Sequence, residues 1–252
     1  MWSNPRLMNT ATNGLVIFVL ALVAFFAVRA VVRSPAFPLR VIQVSGEPRH
    51  VVYEDVARAL DGRLSGTFFT VDLESVRGMF ESIPWVRRAE VRRQWPDRLQ
   101  ITLEEHQPLA RWGSLADARL VNIYGELFSG KTNADLPVLG GPSGSERDVA
   151  RAYAQYRQVL SPLGLEPREV VLSARYAWQL KLSNGLSVQL GRDSDRESAS
   201  ARLARFVDVY PRTLAKLGRR LDYVDLRYPN GFALRVPGVD RDDAGKAGKR
   251  KA

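Results

Sequence analysis

The apolar and polar positions of this chain follow four successive patterns. From Gly14 to Val32 the sequence GLVIFVLALVAFFAVRAVV is apolar on every side, with Arg29 as its one charge. At ~1.5 Å per residue a helix of this length spans roughly 28 Å, close to the hydrocarbon thickness of a bilayer. A helix of a soluble core keeps a polar stripe, and this one has none. A cleaved signal peptide is the rival reading, but Arg29 and Arg33 stand where a cleavage site needs small residues. We therefore expect an uncleaved membrane helix over residues 14–33, preceded by a short tail, residues 1–13. The segment SPAFP, Ser34–Pro38, follows, and its two prolines stop the helix.

The second pattern mixes two periods. Leu39–Gly46 alternates as a strand does, and Val51–Leu64 places Val52, Val56, Ala59 and Leu60 at helical spacing. Asp72 is placed to cap a helix running to about Ser82, with Leu73, Val76, Met79, Phe80 and Ile83 facing inward and Pro84 ending it. Val86–Trp95 and Leu99–Glu105 alternate with period two around Pro96-Asp97-Arg98, the signature of a hairpin. The order strand, helix, helix, strand, strand predicts a small α+β domain over residues 36–106. Trp85 is expected to pack between helix and strand. Arg87, Arg88, Arg92 and Arg93 are expected on a solvated face or a blunted edge.

The third pattern, residues 107–237, is mostly strand-like. Strands are expected at Leu109–Arg111, Arg119–Ile123, Val170–Ser173, Trp178–Leu182 and Ser187–Leu190, with Ser183-Asn184-Gly185 turning between the last two. Helices are expected at Glu146–Leu160 and at Ser194–Lys216, the second kinked or stopped by Pro211. At the end, YVDLRYPNGFALRV, 223–236, predicts a hairpin reversing at Pro229-Asn230-Gly231. Val224, Leu226, Tyr228, Phe232, Leu234 and Val236 would share one face, and Tyr223, Asp225, Arg227, Ala233 and Arg235 the other. The fourth pattern, residues 238–252, is polar with no apolar period and is expected to be a disordered basic tail. The fold class is thus one transmembrane helix followed by two α+β domains, the second built on a mixed, mostly antiparallel sheet.

Charge and chemistry change this picture little. A formal charge of +10 and pI of about 10.2 raise nucleic acid or anionic lipid as partners, but the basic residues are spread along the chain. An arginine-rich strand with interleaved aromatics could stack bases, yet a domain tethered across a membrane seldom meets nucleic acid. With no cysteine, neither a disulfide framework nor a thiolate metal site can form. Gly125–Thr132, GELFSGKT, matches G-x-x-x-x-G-K-T literally. A phosphate loop needs a helix opening directly after the lysine, and here NADLPVLGGPSG follows, so ATP binding is rejected. His50 and His106, the only histidines, lack metal spacing, and Glu104 and Glu105 point to opposite faces of a strand. No catalytic, cofactor or metal site and no small-molecule substrate is expected.

Taken together, the apolar span, FPLRVIQVSG, TFFTVDLESVRGMFESIPWVRRAEVRRQWPDRLQITLEEHQPLARW, LVNIYGELF, LGRDSDRESASARLARFVDVYP and YVDLRYPNG resemble the FtsQ/DivIB family of bacterial cell-division proteins. The resemblance runs from the anchor to about Pro237. It implies a non-enzymatic inner-membrane protein of the division septum with a cytoplasmic N-terminus and a periplasmic bulk. It further implies that the first domain is a POTRA domain that helps recruit the protein, and that the second binds FtsB and FtsL. The positive-inside rule counted over Arg6, Arg29, Arg33 and Arg40 opposes that orientation, but long domains translocate largely regardless of charge. A POTRA-bearing assembly or secretion protein is the alternative, and it would need a long lipid-facing β-barrel that the residues after Pro108 do not supply.

The last hairpin carries the site. A final strand with nothing structured after it keeps one row of N–H and C=O groups unpaired and open to a partner strand. By the resemblance, Tyr228, Asn230, Gly231, Phe232 and Leu234 lie at the partner surface. Arg175 lies where a basic residue meets acidic partner side chains. Val236 stands where some family members carry an aromatic residue that would add contact.

Overall fold

The computed structural model describes residues 5–34, 37–46, 48–113, 119–214, 221–228 and 231–235. It divides into two compact units, residues 1–105 and 106–252.

The first unit opens with a single helix, α1 (Pro5–Val32). Within its stretch Asn9–Val32 an 18-residue window has a mean hydropathy of 2.9 and none of that window is buried, so the helix is long and apolar enough to cross a membrane. The helix begins earlier than the apolar run and takes up most of the expected tail. After it come β1 (Val41–Ser45), α2 (Tyr53–Leu60), α3 (Leu73–Glu81), β2 (Val86–Gln94) and β3 (Arg98–Glu105). The strands form a sheet in the order β1-β3-β2, with β1 parallel and β2 antiparallel to the central β3. Asp72 caps α3: its carboxylate accepts from the Glu74 N–H at 3.1 Å and the Ser75 hydroxyl at 2.5 Å. Val76 and Phe80 of α3 are buried with Ile83 against Val86, Ala89, Leu99 and Ile101 of the sheet. Val52 does not face inward as expected. It precedes the first turn of α2 and is half exposed.

Two of the four arginines depart from a simple solvated face. Arg87 pairs with Glu104 at 2.8 Å. Arg93 donates to the carbonyls of Phe68 at 2.8 Å and Val71 at 2.6 Å, which ties the loop before α3 to the sheet. Trp85 stacks on His50 with centroids 3.9 Å apart. Glu105 accepts the backbone N–H groups of His50 and Val51, both at 2.9 Å. Burial pushes the Glu105 carboxyl up, but these donors outweigh it and hold it below its ordinary value.

The second unit is one sheet of nine strands with two helices. Its strands are β4 (Pro108–Trp112), β5 (Arg119–Asn122), β6 (Leu127–Ser129), β7 (Val138–Gly140), β8 (Pro167–Leu172), β9 (Trp178–Leu182), β10 (Ser187–Gly191), β11 (Tyr223–Asp225) and β12 (Ala233–Arg235). They lie in the order β12-β11-β10-β9-β8-β7-β4-β5-β6. The helices α4 (Glu146–Leu160) and α5 (Ala199–Val209) each connect two adjacent parallel strands, β7 to β8 and β10 to β11. Parallel neighbours need such a crossover, whereas the antiparallel pairs are joined by turns. Along β9 the alternation is strict: Trp178, Leu180 and Leu182 are buried while Gln179 and Lys181 face out. The inward set packs with Val149, Tyr153, Tyr156 and Leu160 of α4 and with Leu203 and Phe206 of α5.

Two expectations for the second unit are corrected. The helix expected from Ser194 starts at Ala199. The Ser198 hydroxyl caps it by accepting the Ala201 N–H at 3.1 Å, and Asp193 accepts the Ala199 N–H at 2.6 Å, so residues 194–198 turn instead of coiling. After Val209 it loosens into a π turn over Tyr210–Leu214, where Pro211 removes a backbone donor. Val138–Gly140, in the NADLPVLGGPSG stretch where no strand was expected, is the parallel strand β7, with Leu139 buried. The phosphate-loop match is a β5-β6 hairpin. Gly125 turns it at φ +77, and a side chain there would meet the Arg147 Cα at 2.6 Å. The expected tail, residues 238–252, lies outside the described residues.

Candidate partner-binding edge of the second unit

β12 is the terminal strand of the nine-stranded sheet, and among the described residues no strand pairs with its outer side. The direction of its backbone groups follows from its neighbours. Ser187 N–H donates to the Asp222 carbonyl at 3.0 Å and Leu226 N–H to the Gln189 carbonyl at 2.9 Å. The Asp222 carbonyl and the Leu226 N–H therefore aim toward β10, as does the backbone of Val224 between them in the parallel register, while the Asp222 N–H turns to the Arg235 carbonyl of β12 at 3.4 Å. Tyr223 and Asp225 aim theirs the other way, at Arg235 and Ala233 of β12. Because these groups alternate along a strand, the N–H and C=O of Leu234 point away from the sheet, toward the flank on which no described strand pairs.

The side chains around that flank are apolar and cationic. Val224 is fully buried, while its cross-strand neighbour Leu234 is 38% exposed. Tyr228 is 54% exposed. Phe232 is half-buried: its ring sits edge-on to Phe206, centroids 6.1 Å apart, with the Arg205 guanidinium 5.9 Å away. Arg205 also donates to the Tyr228 carbonyl at 3.3 Å and pairs with Glu197 at 3.0 Å. Arg235 lies over the Tyr223 ring at 5.7 Å.

One buried charge holds this corner together. Asp225 is 4% exposed, although the alternation placed it on the polar face. Arg227 folds back onto it, with Nε 2.9 Å from Oδ1 and Nη2 2.6 Å from Oδ2, and the Arg227 N–H adds a bond at 3.0 Å. These donors hold the Asp225 carboxyl below the usual carboxylate range. Room for the clamp comes from Gly191, at φ +79, where a Cβ would fall 2.8 Å from the Arg227 Cγ.

The structure brings some of the expected site residues together and separates their roles. Strand pairing stops at Asp225 and Ala233, so the hairpin is shorter than its alternation suggested and Tyr228 turns outward instead of joining Val224 in the core. Leu234 is on the edge itself, and Gly231 is exposed just before it. Phe232 belongs partly to the core. Asn230 and Val236 lie outside the described residues. Arg175 is exposed in the Ser173–Ala177 turn between β8 and β9. Since Trp178 faces Gly191 in the register, this turn is at the same end of the sheet as Arg227 and Tyr228. Two strand spacings, about 10 Å, separate β9 from β11. Asp225 and Gly191 went unnoticed in the sequence. The only signal was a carboxylate two residues before an arginine beside a strand-ending glycine.

Among the described residues no group of three or more His, Asp or Glu is arranged to hold a metal ion. Comparison with known proteins gives a consistent result. Residues 37–106 match a family model described as POTRA domain, FtsQ-type, and residues 110–227 match one described as Cell division protein FtsQ/DivIB, C-terminal. "Cell division protein FtsQ" of Burkholderia pseudomallei is 42% identical over 242 residues, covering 95% of this chain and 96% of that protein. The protein of the same name from Bordetella pertussis is 38% identical over 273 residues, covering 100% and 99%. That of Nitrosospira multiformis is 38% identical over 240 residues, covering 93% and 99%. With a POTRA domain, a second domain of the matching type and relatives aligned over nearly their whole length, this chain belongs to the FtsQ/DivIB family of cell-division proteins.

Proposed function

We propose that this protein is a non-enzymatic, single-pass scaffold of the division septum whose second domain captures a partner of the FtsB and FtsL type by strand addition to β12. The observation that carries the reading is the terminal position of β12, whose Leu234 backbone groups face outward beside exposed Tyr228. An added strand gains main-chain hydrogen bonds from such an edge, and pockets for alternate side chains give specificity. Tyr228 and Leu234 supply apolar anchors, and aromatic residues dominate the energetics of many interfaces. Arg235 on the edge strand suits an acidic partner segment, and Arg175, about three strand spacings away at the same end of the sheet as Tyr228, would meet one that continues across the sheet end. The cytoplasmic N-terminus and periplasmic domains of the resemblance complete the reading, with α1 as the anchor and the POTRA domain helping to recruit the protein to the septum.

Capture of an FtsB-type partner by the full chain from membranes tests it. Loss of capture on Tyr228→Ala, with circular dichroism unchanged, supports docking at this edge, and unchanged capture ends the proposal. A periplasm-sensitive reporter fused after Pro237 should be active; an inactive fusion would reverse the orientation.

A further inference from the structure

The end of the POTRA domain nearest α1 carries large apolar side chains that its core does not use. Trp95, in the β2-β3 turn, is 79% exposed, and Phe69, in the loop before α3, is 41% exposed. Both segments are bonded to the stretch of chain that leaves α1. The Thr67 hydroxyl donates to the Val32 carbonyl in the last turn of the helix at 3.0 Å. Phe68 N–H donates to the Phe37 carbonyl at 3.0 Å, and the Phe37 and Phe69 rings meet edge to face at 5.2 Å. On the other side, Arg40 N–H donates to the Asp97 carbonyl at 3.0 Å, beside Trp95. Arg33 and Arg40 are exposed in the same stretch. The loop carrying Phe69 is held firmly, since Arg93 bonds the carbonyls on either side of it.

We infer that this end of the domain docks into the headgroup layer of an anionic bilayer, with Phe69 and Trp95 at the acyl boundary and Arg33 and Arg40 against lipid phosphates. The occupant follows from continuity. A helix that crosses the bilayer ends at Val32, and the Thr67 hydroxyl fastens the aromatic loop to that carbonyl, so Phe69 is held within a few residues' reach of the membrane surface. Trp and other amphipathic aromatics are favoured at that depth, and arginines near an anionic leaflet are drawn to its phosphates. Docking would make the tether rigid and fix how the domain is presented at the septum. The inference rests on α1 spanning the membrane.

The absence of cysteine makes the test direct. Single Phe69→Cys and Trp95→Cys variants of the full chain are labelled with the fluorophore NBD and reconstituted into vesicles of phosphatidylcholine with phosphatidylglycerol. Ser82→Cys serves as the control, because β2 runs from Val86 beside it to Gln94, roughly 26 Å along the sheet. Co-flotation of all three with vesicles confirms that α1 is inserted, so a failure of the anchor is seen separately. The expected result is blue-shifted emission at positions 69 and 95, quenched by headgroup-proximal nitroxide lipids, with aqueous emission at 82. Arg33→Gln with Arg40→Gln should lower the quenching in anionic vesicles to the value in pure phosphatidylcholine. Aqueous emission at both 69 and 95 in floated protein overturns docking. So does a blue shift that the lipid quencher does not touch, which would mark a protein neighbour instead. Equal quenching in neutral and anionic vesicles overturns the assignment of the arginines.

Discussion

Replacing Leu234 by proline separates strand addition from every other way a partner could use this surface. In β12 the backbone of Ala233 and Arg235 faces β11, while that of Leu234 faces the flank on which no described strand pairs. Proline at 234 therefore deletes a donor that points away from β11, a placement on an edge strand that tolerates it. It also holds the preceding residue in the extended region, where Ala233 already lies. The side chain is 38% exposed, and Leu234→Ala provides the control for its loss. For an incoming strand the change is severe. One hydrogen bond of ~0.5–1.5 kcal/mol disappears, and the partner's carbonyl is left facing the ring unpaired, at a further ~1–3 kcal/mol. A combined cost of about 2–4 kcal/mol is a loss of roughly 30- to 1,000-fold in affinity relative to Leu234→Ala. The assay is a titration of an FtsB-type partner against the full chain in nanodiscs, with thermal melting alongside. Proline at 233 or 235 should instead lower the melting temperature by removing ladder bonds. If Leu234→Pro binds as tightly as Leu234→Ala, the partner does not pair with this edge, whatever else it touches.

Other expectations follow from the same corner. Tyr228→Ala should weaken partner binding by about tenfold or more with an unchanged melting temperature, whereas Phe232→Ala should also lower stability by about 1–3 kcal/mol, because its ring packs on Phe206. The Asp225 carboxyl titrates lower in the folded chain than in the unfolded one, so its contribution to stability is fully present above the ordinary value of 3.8 and is lost as pH falls below it. Melting measured from pH 7 down to 3 should fall less steeply for Asp225→Asn than for the parent chain, and parallel curves would refute the clamp. Gly191→Ala should cost about 1–2 kcal/mol in left-handed backbone strain and, by pushing on the Arg227 Cγ 2.8 Å away, loosen the Asp225–Arg227 pair. Urea titration of both variants and their double mutant should then show costs that fail to add.

What could be seen in the sequence was whatever a local rule decides. The α4 span needs only its own periodicity, and Glu146–Leu160 is recovered to the residue. The Asp72 cap, the Pro96 turn and the lipid-length helix are equally local. Strand β7 escaped because three residues between Pro137 and Gly141 have no period to read; only the parallel neighbours β4 and β8, distant in sequence, make Val138–Gly140 a strand. The opening of α5 escaped because Ser194 looks like a cap, while the cap actually used is Ser198, selected by an Asp193 carboxylate that also holds the Trp178 indole at 2.9 Å. The site divides the same way. That a strand following the last turn would be an edge could be read from chain order alone. Which of its backbone groups point outward could not, because it depends on the parallel pairing of β11 with β10, and that pairing exists only after α5 has carried the chain back across the sheet. Asp225 shows the consequence: alternation places it on the polar face, yet the crossover brings Gly191 alongside and leaves just enough space for Arg227 to close over it. The edge is therefore a product of the crossover, and a change in α5 packing should reach the proposed docking surface through β11 without touching Tyr228 or Leu234.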